Sequence, residues 1–149
     1  MGKGKKGAPK STKKPVQKAQ KLAVFIPRET QEGETRVAGT PETIKTLVQH
    51  GLAVYVETGA GERSSILDQE YMQAGAVIGK DTNALYASAD VILSVNPPTE
   101  SPLSQVKENV CWISFLDISS DTAKNIAKTL VDKKISSVYT TNCSNSLTR

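Results

Sequence analysis

Three places in this 149-residue chain hold groups suited to chemistry. The first is the turn after AVYVE (53–57), where Gly59, Gly61 and Ser64 make a Gly-x-Gly-x-x-Ser run. Glycines at that spacing after a strand let a backbone and a helix N-terminus approach a pyrophosphate. The second is Arg36, a permanent cation on the loop after the first apolar run, suited to a carboxamide, carboxylate or phosphate. The third is Asn96 in SVNPP, whose amide offers both donor and acceptor.

Each has a structural alternative. A phosphate loop needs its helix to open at the third glycine position. Here residues 64–67 intervene before the cap expected at Asp68, and Glu57 and Glu62 bring negative charge where phosphate would bind. The turn is therefore read as a tight reversal at the functional edge of a sheet, with Gly59 and Gly61 supplying backbone conformations that other residues resist. Arg36 can instead pair with Glu29 or Glu34, and Asn96 can simply form the turn before Pro97. Both roles stay open for each residue. Arg28 reads as structural.

Other reactive side chains point elsewhere. Cys111 and Cys143 have no CxxC spacing; Cys111, in VCWISF, reads as a buried small hydrophobe and Cys143 lies in a polar stretch. Reduced thiols in a cytosol-like compartment follow. The single His50 ends a helical pattern with no Cys or Asp nearby, so it reads as a surface or capping residue, and no metal site is expected.

The elements that must position these groups alternate regularly. LAVFI (22–26), AVYVE (53–57), AVI (76–78), DVILSV (90–95), VCWISF (110–115) and SSVYT (136–140) are short and apolar on both faces, the pattern of buried parallel strands. Between them, Thr40 can cap a helix with Pro41 at its first position and Gly51 at its close, turning Ile44, Leu47 and Val48 inward. Asp68 and Asp81 are expected to cap two further helices, and DTAKNIAKTLVDKK a longer one with Ile126, Ala127 and Leu130 inward. NPPTESP (96–102) reads as a Pro-rich loop. Six strands alternating with helices predict an α/β fold, an open, mostly parallel Rossmann-like or flavodoxin-like sheet with helices on both faces. Its ligands belong beyond the carboxyl ends of the strands, where strand order reverses.

Charge separates a tail from this domain. Residues 1–21 hold eight lysines and no acid, leaving 11 basic against 15 acidic side chains over the other 128 residues, a formal −4. With almost no large apolar group, the tail is expected to be disordered. It can act as a solvated extension or contact nucleic acid or anionic lipid through phosphates. It lacks the apolar core of a secretory signal and the arginines of a transit peptide, and position 6 is Lys where a myristoylation motif has Ser or Thr. No apolar run approaches the roughly 18 residues of a membrane span.

IPRETQEGETRVAGTPETIKTLVQHG followed by VYVETGAGERSSILDQEYMQAGAVI resembles the N-terminal domain of the alanine dehydrogenase and proton-translocating pyridine nucleotide transhydrogenase family. The likeness runs from about Leu22 to Arg149 and is closest to the NAD(P) transhydrogenase α-subunit. In alanine dehydrogenases the resemblance implies a substrate-binding arginine in the RVA loop, a lysine after the fourth strand and a histidine after the fifth. Arg36 matches the arginine; Asn96 stands at the lysine, and Asp117 on or beside the histidine. Asparagine supplies no cation for a keto acid, and aspartate is an unsuitable proton carrier near neutrality. The transhydrogenase branch is the better match.

That branch implies hydride transfer between NADH and NADP, coupled to proton translocation by a membrane subunit. Arg36 and Asn96 would then be NAD(H)-binding residues on the nicotinamide side of a cleft, with NADP(H) carried by a partner subunit. A homodimer is expected, cytoplasmic and peripheral to the inner membrane through its partners. Residues 22–149 would be the family's N-terminal domain without its inserted NAD-binding Rossmann domain, and NSLTR (145–149) stands where the family has a PRISRAQ-like segment. The isolated chain is expected to be inactive. A non-catalytic relic or scaffold of the same fold is the alternative.

Overall fold

The computed structural model describes residues 2, 4, 20–115 and 121–140. The expectations for the tail, Asp117, Cys143 and NSLTR rest on residues outside these, save a few tail positions. Six strands form one all-parallel sheet: β1 (Ala23–Ile26), β2 (Ala53–Glu57), β3 (Val77–Gly79), β4 (Val91–Leu93), β5 (Cys111–Phe115) and β6 (Ser136–Thr140). Their spatial order is β3-β2-β1-β4-β5-β6, so the order reverses between β1 and β4. These two strands pair through Val24 with Val91 and Phe25 with Ile92.

Alternating side chains explain the apolar runs. Within β1, Val24 and Ile26 enter a core shared with Ile44 and Tyr71, while Phe25 enters the opposite core with Ile92, Trp112 and Leu130. Helices α1 (Pro41–Gln49) and α2 (Asp68–Gln73) cover the first face. The second is covered by α3 (Thr82–Ser88), α4 (Glu100–Gln105) and α5 (Asp121–Asp132). Aromatic packing joins strands to α3: Phe25 meets Tyr86 edge-on at 5.0 Å between ring centroids, and Tyr86 stacks on Trp112 at 5.9 Å. Burial among these rings raises the Tyr86 phenol pKa.

Local signals set the α1 boundaries. Thr40 Oγ1 accepts from the Thr43 amide at 3.3 Å, Pro41 opens the helix, and Gly51 takes the left-handed conformation after its close, at φ +85°. Asp81 caps α3 by accepting from the Ala84 amide.

Three expectations change. Asp68 is the first residue of α2 rather than its cap, because its carboxylate turns to the Gly59 loop; Leu67 takes the cap position, with its amide donating to Glu70 Oε2 at 2.8 Å. In α5 the inward face is Ala123, Ile126 and Leu130, and Ala127 is exposed: helical spacing of three and four puts 123, 126 and 130 on one side. The second half of NPPTESP is helical, since Pro102 lies in the first turn of α4, where its missing N–H costs nothing. Leu103 then anchors that short helix in the core.

Candidate functional site

The carboxyl ends of β1 and β4 lie side by side at the reversal of strand order, so the loop over residues 27–40 faces the turn over 94–99. Glu29 spans the two. Its side chain is drawn inward, leaving the residue 8% exposed, and it accepts from the Val95 amide at 2.6 Å, the Asn96 amide at 3.3 Å and Asn96 Nδ2 at 3.0 Å. A carboxylate is an acceptor only, so it satisfies donors left over where β4 ends. Ser94 completes the turn, donating to the Asn96 carbonyl at 2.7 Å and accepting from Trp112 Nε1 at 2.8 Å.

Asn96 Nδ2 also donates to Glu34 Oε2, at 3.1 Å. Glu34 in turn grips Arg36, taking Nε and the backbone amide at Oε1 and Nη2 at Oε2, each at 2.9 Å. The Glu34 side chain is sheltered at 9% exposure, whereas that of Arg36 is 60% exposed. The Arg36 side-chain hydrogen bonds are the main reason the Glu34 carboxyl pKa is lowered to about 2, with the Arg36 amide and Asn96 adding to the effect. Of the two partners foreseen for Arg36, Glu34 is the one it takes. Arg28 makes only a loose 3.7 Å pair with Glu62, and its amide donates to Glu57.

Two clefts open at this end of the sheet. One, of about 250 Å³, is lined by Glu29, Gln31, Asn96, Pro97 and Trp112 among others. The other, about 450 Å³, has Arg36 at its polar edge and Val37, Ala38, Leu93, Ile113 and Phe115 as apolar walls. Ser94 borders both. Arg36 and Asn96, read separately from the sequence, thus belong to one network.

The glycine turn is occupied by its own protein. Asp68 Oδ1 accepts from the Gly59 amide at 2.9 Å and Oδ2 from Thr58 Oγ1 at 2.7 Å, so a carboxylate sits where a phosphate would. Gly59 has the left-handed backbone expected of it, at φ +73°, but Gly61 does not, at φ −89°; what requires glycine there is crowding, since an added Cβ would lie 2.7 Å from the Ile66 carbonyl and 2.8 Å from the Tyr71 ring. This tight passage leads into the 3₁₀ turn Glu62–Ser64, which supports the Arg36 loop. Arg63 Nη1 donates to the carbonyls of Gln31 and Glu34, and Ser64 Oγ to that of Thr35. The turn is a buttress for the site.

What the sequence reading missed is the double role of Glu29 and Glu34. The available signal was the pair of acids in PRETQEGETR, on the same loop as Arg36. Among the described residues no group of three His, Cys, Asp or Glu side chains is placed to hold a metal, and no helix is long and apolar enough to cross a membrane. Cys111 is half-buried and free.

Comparison with known proteins agrees with this architecture. The NAD(P) transhydrogenase subunit alpha of Haemophilus influenzae is 40% identical over 95 residues, 64% of this chain and 18% of that protein. The alanine dehydrogenase of Methanococcus maripaludis is 33% identical over 117 residues, 78% of this chain and 31% of the relative. The crystal structure of a transhydrogenase from Sinorhizobium meliloti superposes with a TM-score of 0.73 at 35% identity, over 78% of this chain and 33% of that one. An L-alanine dehydrogenase shares the fold at the same TM-score and 24% identity, over 79% of this chain and 32% of its own. The chain thus spans about a third or less of the length of these relatives. The profile of the family described as alanine dehydrogenase/PNT, N-terminal domain, matches residues 25–141, and the chain belongs to that family.

Proposed function

We propose that this domain forms one wall of the nicotinamide-side cleft of an NAD(H)-binding subunit of the NAD(P) transhydrogenase type. It would act in an assembly with an NADP(H)-binding subunit and a proton-moving membrane subunit, at the cytoplasmic face of the inner membrane and as a homodimer. The observation that carries this reading is Asn96 at the exit of β4, with both carboxylate partners in place. That position offers an oxo-acid no cation, and the nearby Arg36 is neutralised by Glu34. The 40% identity to a transhydrogenase α-subunit supports the same choice.

The residues present fit a flat ring bearing a carboxamide. Arg36 keeps Nη1 without an acceptor among the described residues, at the mouth of the larger cleft. Val37, Ala38, Leu93, Ile113 and Phe115 can exclude water from one face of a ring. The nicotinamide, when bound, supplies the hydride chemistry, while these side chains orient and desolvate. They do not fit a pyrophosphate, since Asp68 already fills the Gly59 turn. Firm NAD(H) binding therefore calls for residues beyond the described ones.

The test combines this chain with a complementary NAD-binding Rossmann half, an NADP(H)-binding subunit and a membrane subunit, and follows hydride transfer from NADH to an NADP analogue. Activity that falls at least about tenfold in an Arg36→Ala variant is expected. No activity at any concentration would favour the second reading, a scaffold of the same fold, for which the filled glycine turn speaks. Micromolar NADH binding by the isolated chain would sink that second reading.

A further inference from the structure

We infer that the amino edge of the sheet, opposite the two clefts, is a docking surface for an anionic lipid bilayer. Its contacts are Leu22 ahead of β1, Lys128, Val131 and Lys134 ahead of β6, and the lysines of residues 1–21, so that the clefts face away from the membrane. The inference is independent of the cofactor reading.

Because all six strands run the same way, their amino ends share one edge, and charge is divided between that edge and the other. Every described acid except Asp90, Glu108 and Asp132 lies at a strand's carboxyl end, on the loop that leaves it or in the first turn of the following helix. At the amino edge those three face Lys107, Lys128, Lys133 and Lys134, and Asp90 is already paired with Lys107. The lysine-rich segment joins the domain here: Lys21 and Leu22 line a hollow with Asp90 and Lys107, and the Leu22 carbonyl accepts from the Ala53 amide at 3.0 Å. Residues 1–21 add eight lysines and no acid. The chain is thus electrically polar, positive at the amino edge and negative around the clefts. A plane of anionic headgroups attracts the first pole and repels the second, which fixes the orientation.

Exposed aliphatic groups accompany these cations. With Ile126 and Leu130 of α5 turned to the core, Lys124, Lys128 and Val131 share the outer side at spacings of four and three, and Lys134 follows three residues on. Val131 is 76% exposed and Leu22 54%. An aliphatic side chain between lysines suits the boundary of headgroup and acyl chain, where lysine stems lie along apolar surface and their ammonium groups meet phosphate. Nucleic acid fits less well. Residues 1–21 and these edge positions contain lysine but neither arginine for bidentate base contacts nor an aromatic ring for stacking.

The test sediments the 149-residue chain with vesicles of phosphatidylcholine alone, and of phosphatidylcholine with about one-third phosphatidylglycerol, in about 0.1 M and about 1 M salt. Binding is expected to the acidic vesicles only, and to be lost at the higher salt. Each lysine beside such a surface is worth roughly fivefold, so Lys128→Glu combined with Lys134→Glu should weaken binding at least about tenfold, with an unfolding midpoint like the parent's. Lys128→Arg combined with Lys134→Arg should keep it. In Val131→Trp, indole emission should move to the blue when acidic vesicles are added. Equal binding to both vesicles, binding that survives the higher salt, an undiminished double-glutamate variant or an unmoved emission would each overturn the inference. So would tighter binding of a short RNA duplex at the same phosphate concentration. None of these outcomes bears on the cofactor reading, which the hydride-transfer assay tests.

Discussion

Arg36 and Asn96 meet on one oxygen: Glu34 Oε2 accepts from Arg36 Nη2 at 2.9 Å and from Asn96 Nδ2 at 3.1 Å. The loops after β1 and β4 are thereby tied together across the point where the sheet reverses its strand order. Changes at either residue should be felt at the other.

The Glu34 link is pH-dependent. Its carboxyl pKa is lowered to about 2 in the folded chain from an ordinary 4.5, so the folded state holds fewer protons than the unfolded one between those values. The stabilisation is complete above pH 4.5 and lost as pH falls toward 2. Thermal denaturation of the parent and of Arg36→Ala should show a gap in Tm that is constant above this window and closes within it. A gap that persists to pH 2 would refute the link.

Glu29 holds three donors with one nearly buried carboxylate. Glu29→Ala leaves the Val95 and Asn96 amides without it and should cost about 2–4 kcal/mol in urea unfolding. Glu29→Gln keeps an acceptor and should cost about half as much. In both, amide exchange at Val95 should quicken; unchanged exchange in the alanine variant would remove Glu29 as the anchor of the turn.

Gly61 and Gly33 separate crowding from backbone strain. Gly61→Ala drives a methyl against the Ile66 carbonyl and the Tyr71 ring and should cost about 2–3 kcal/mol. Gly33 lies in open space at φ +78°, and Gly33→Ala should cost only about 1 kcal/mol. Equal unfolding midpoints for the two variants would contradict the packed-turn account.

Tyr71 links α2 to the loop before α1 through its hydroxyl, 2.8 Å from the Gly39 carbonyl. Burial first, then Asp68 and Glu70, push its phenol up to about 12. Alkaline absorbance titration should show one tyrosine ionising near that value, absent in Tyr71→Phe, with a stability loss of about 1 kcal/mol.

Much of this was legible in the chain itself. Strand alternation in AVFI, the Thr40 cap with Pro41, and Gly51 are determined by neighbours within a few residues, and each forms where its local chemistry points. Arg36 and Asn96 stood out by residue type and place after a strand. Other outcomes needed the tertiary structure. Asp68 leaves the cap position because Thr58 and Gly59 offer it stronger partners across a turn, and the inward face of α5 is decided by which side the sheet covers. Above all, only the insertion of β4 beside β1 brings Glu29 and Glu34 to Asn96, whereas the Glu34–Arg36 pair forms within one loop. Strand order depends on contacts between distant segments, whose closure entropy and packing no local pattern encodes. Residue chemistry is written in the sequence, but which donors a carboxylate finds is decided by where the chain returns.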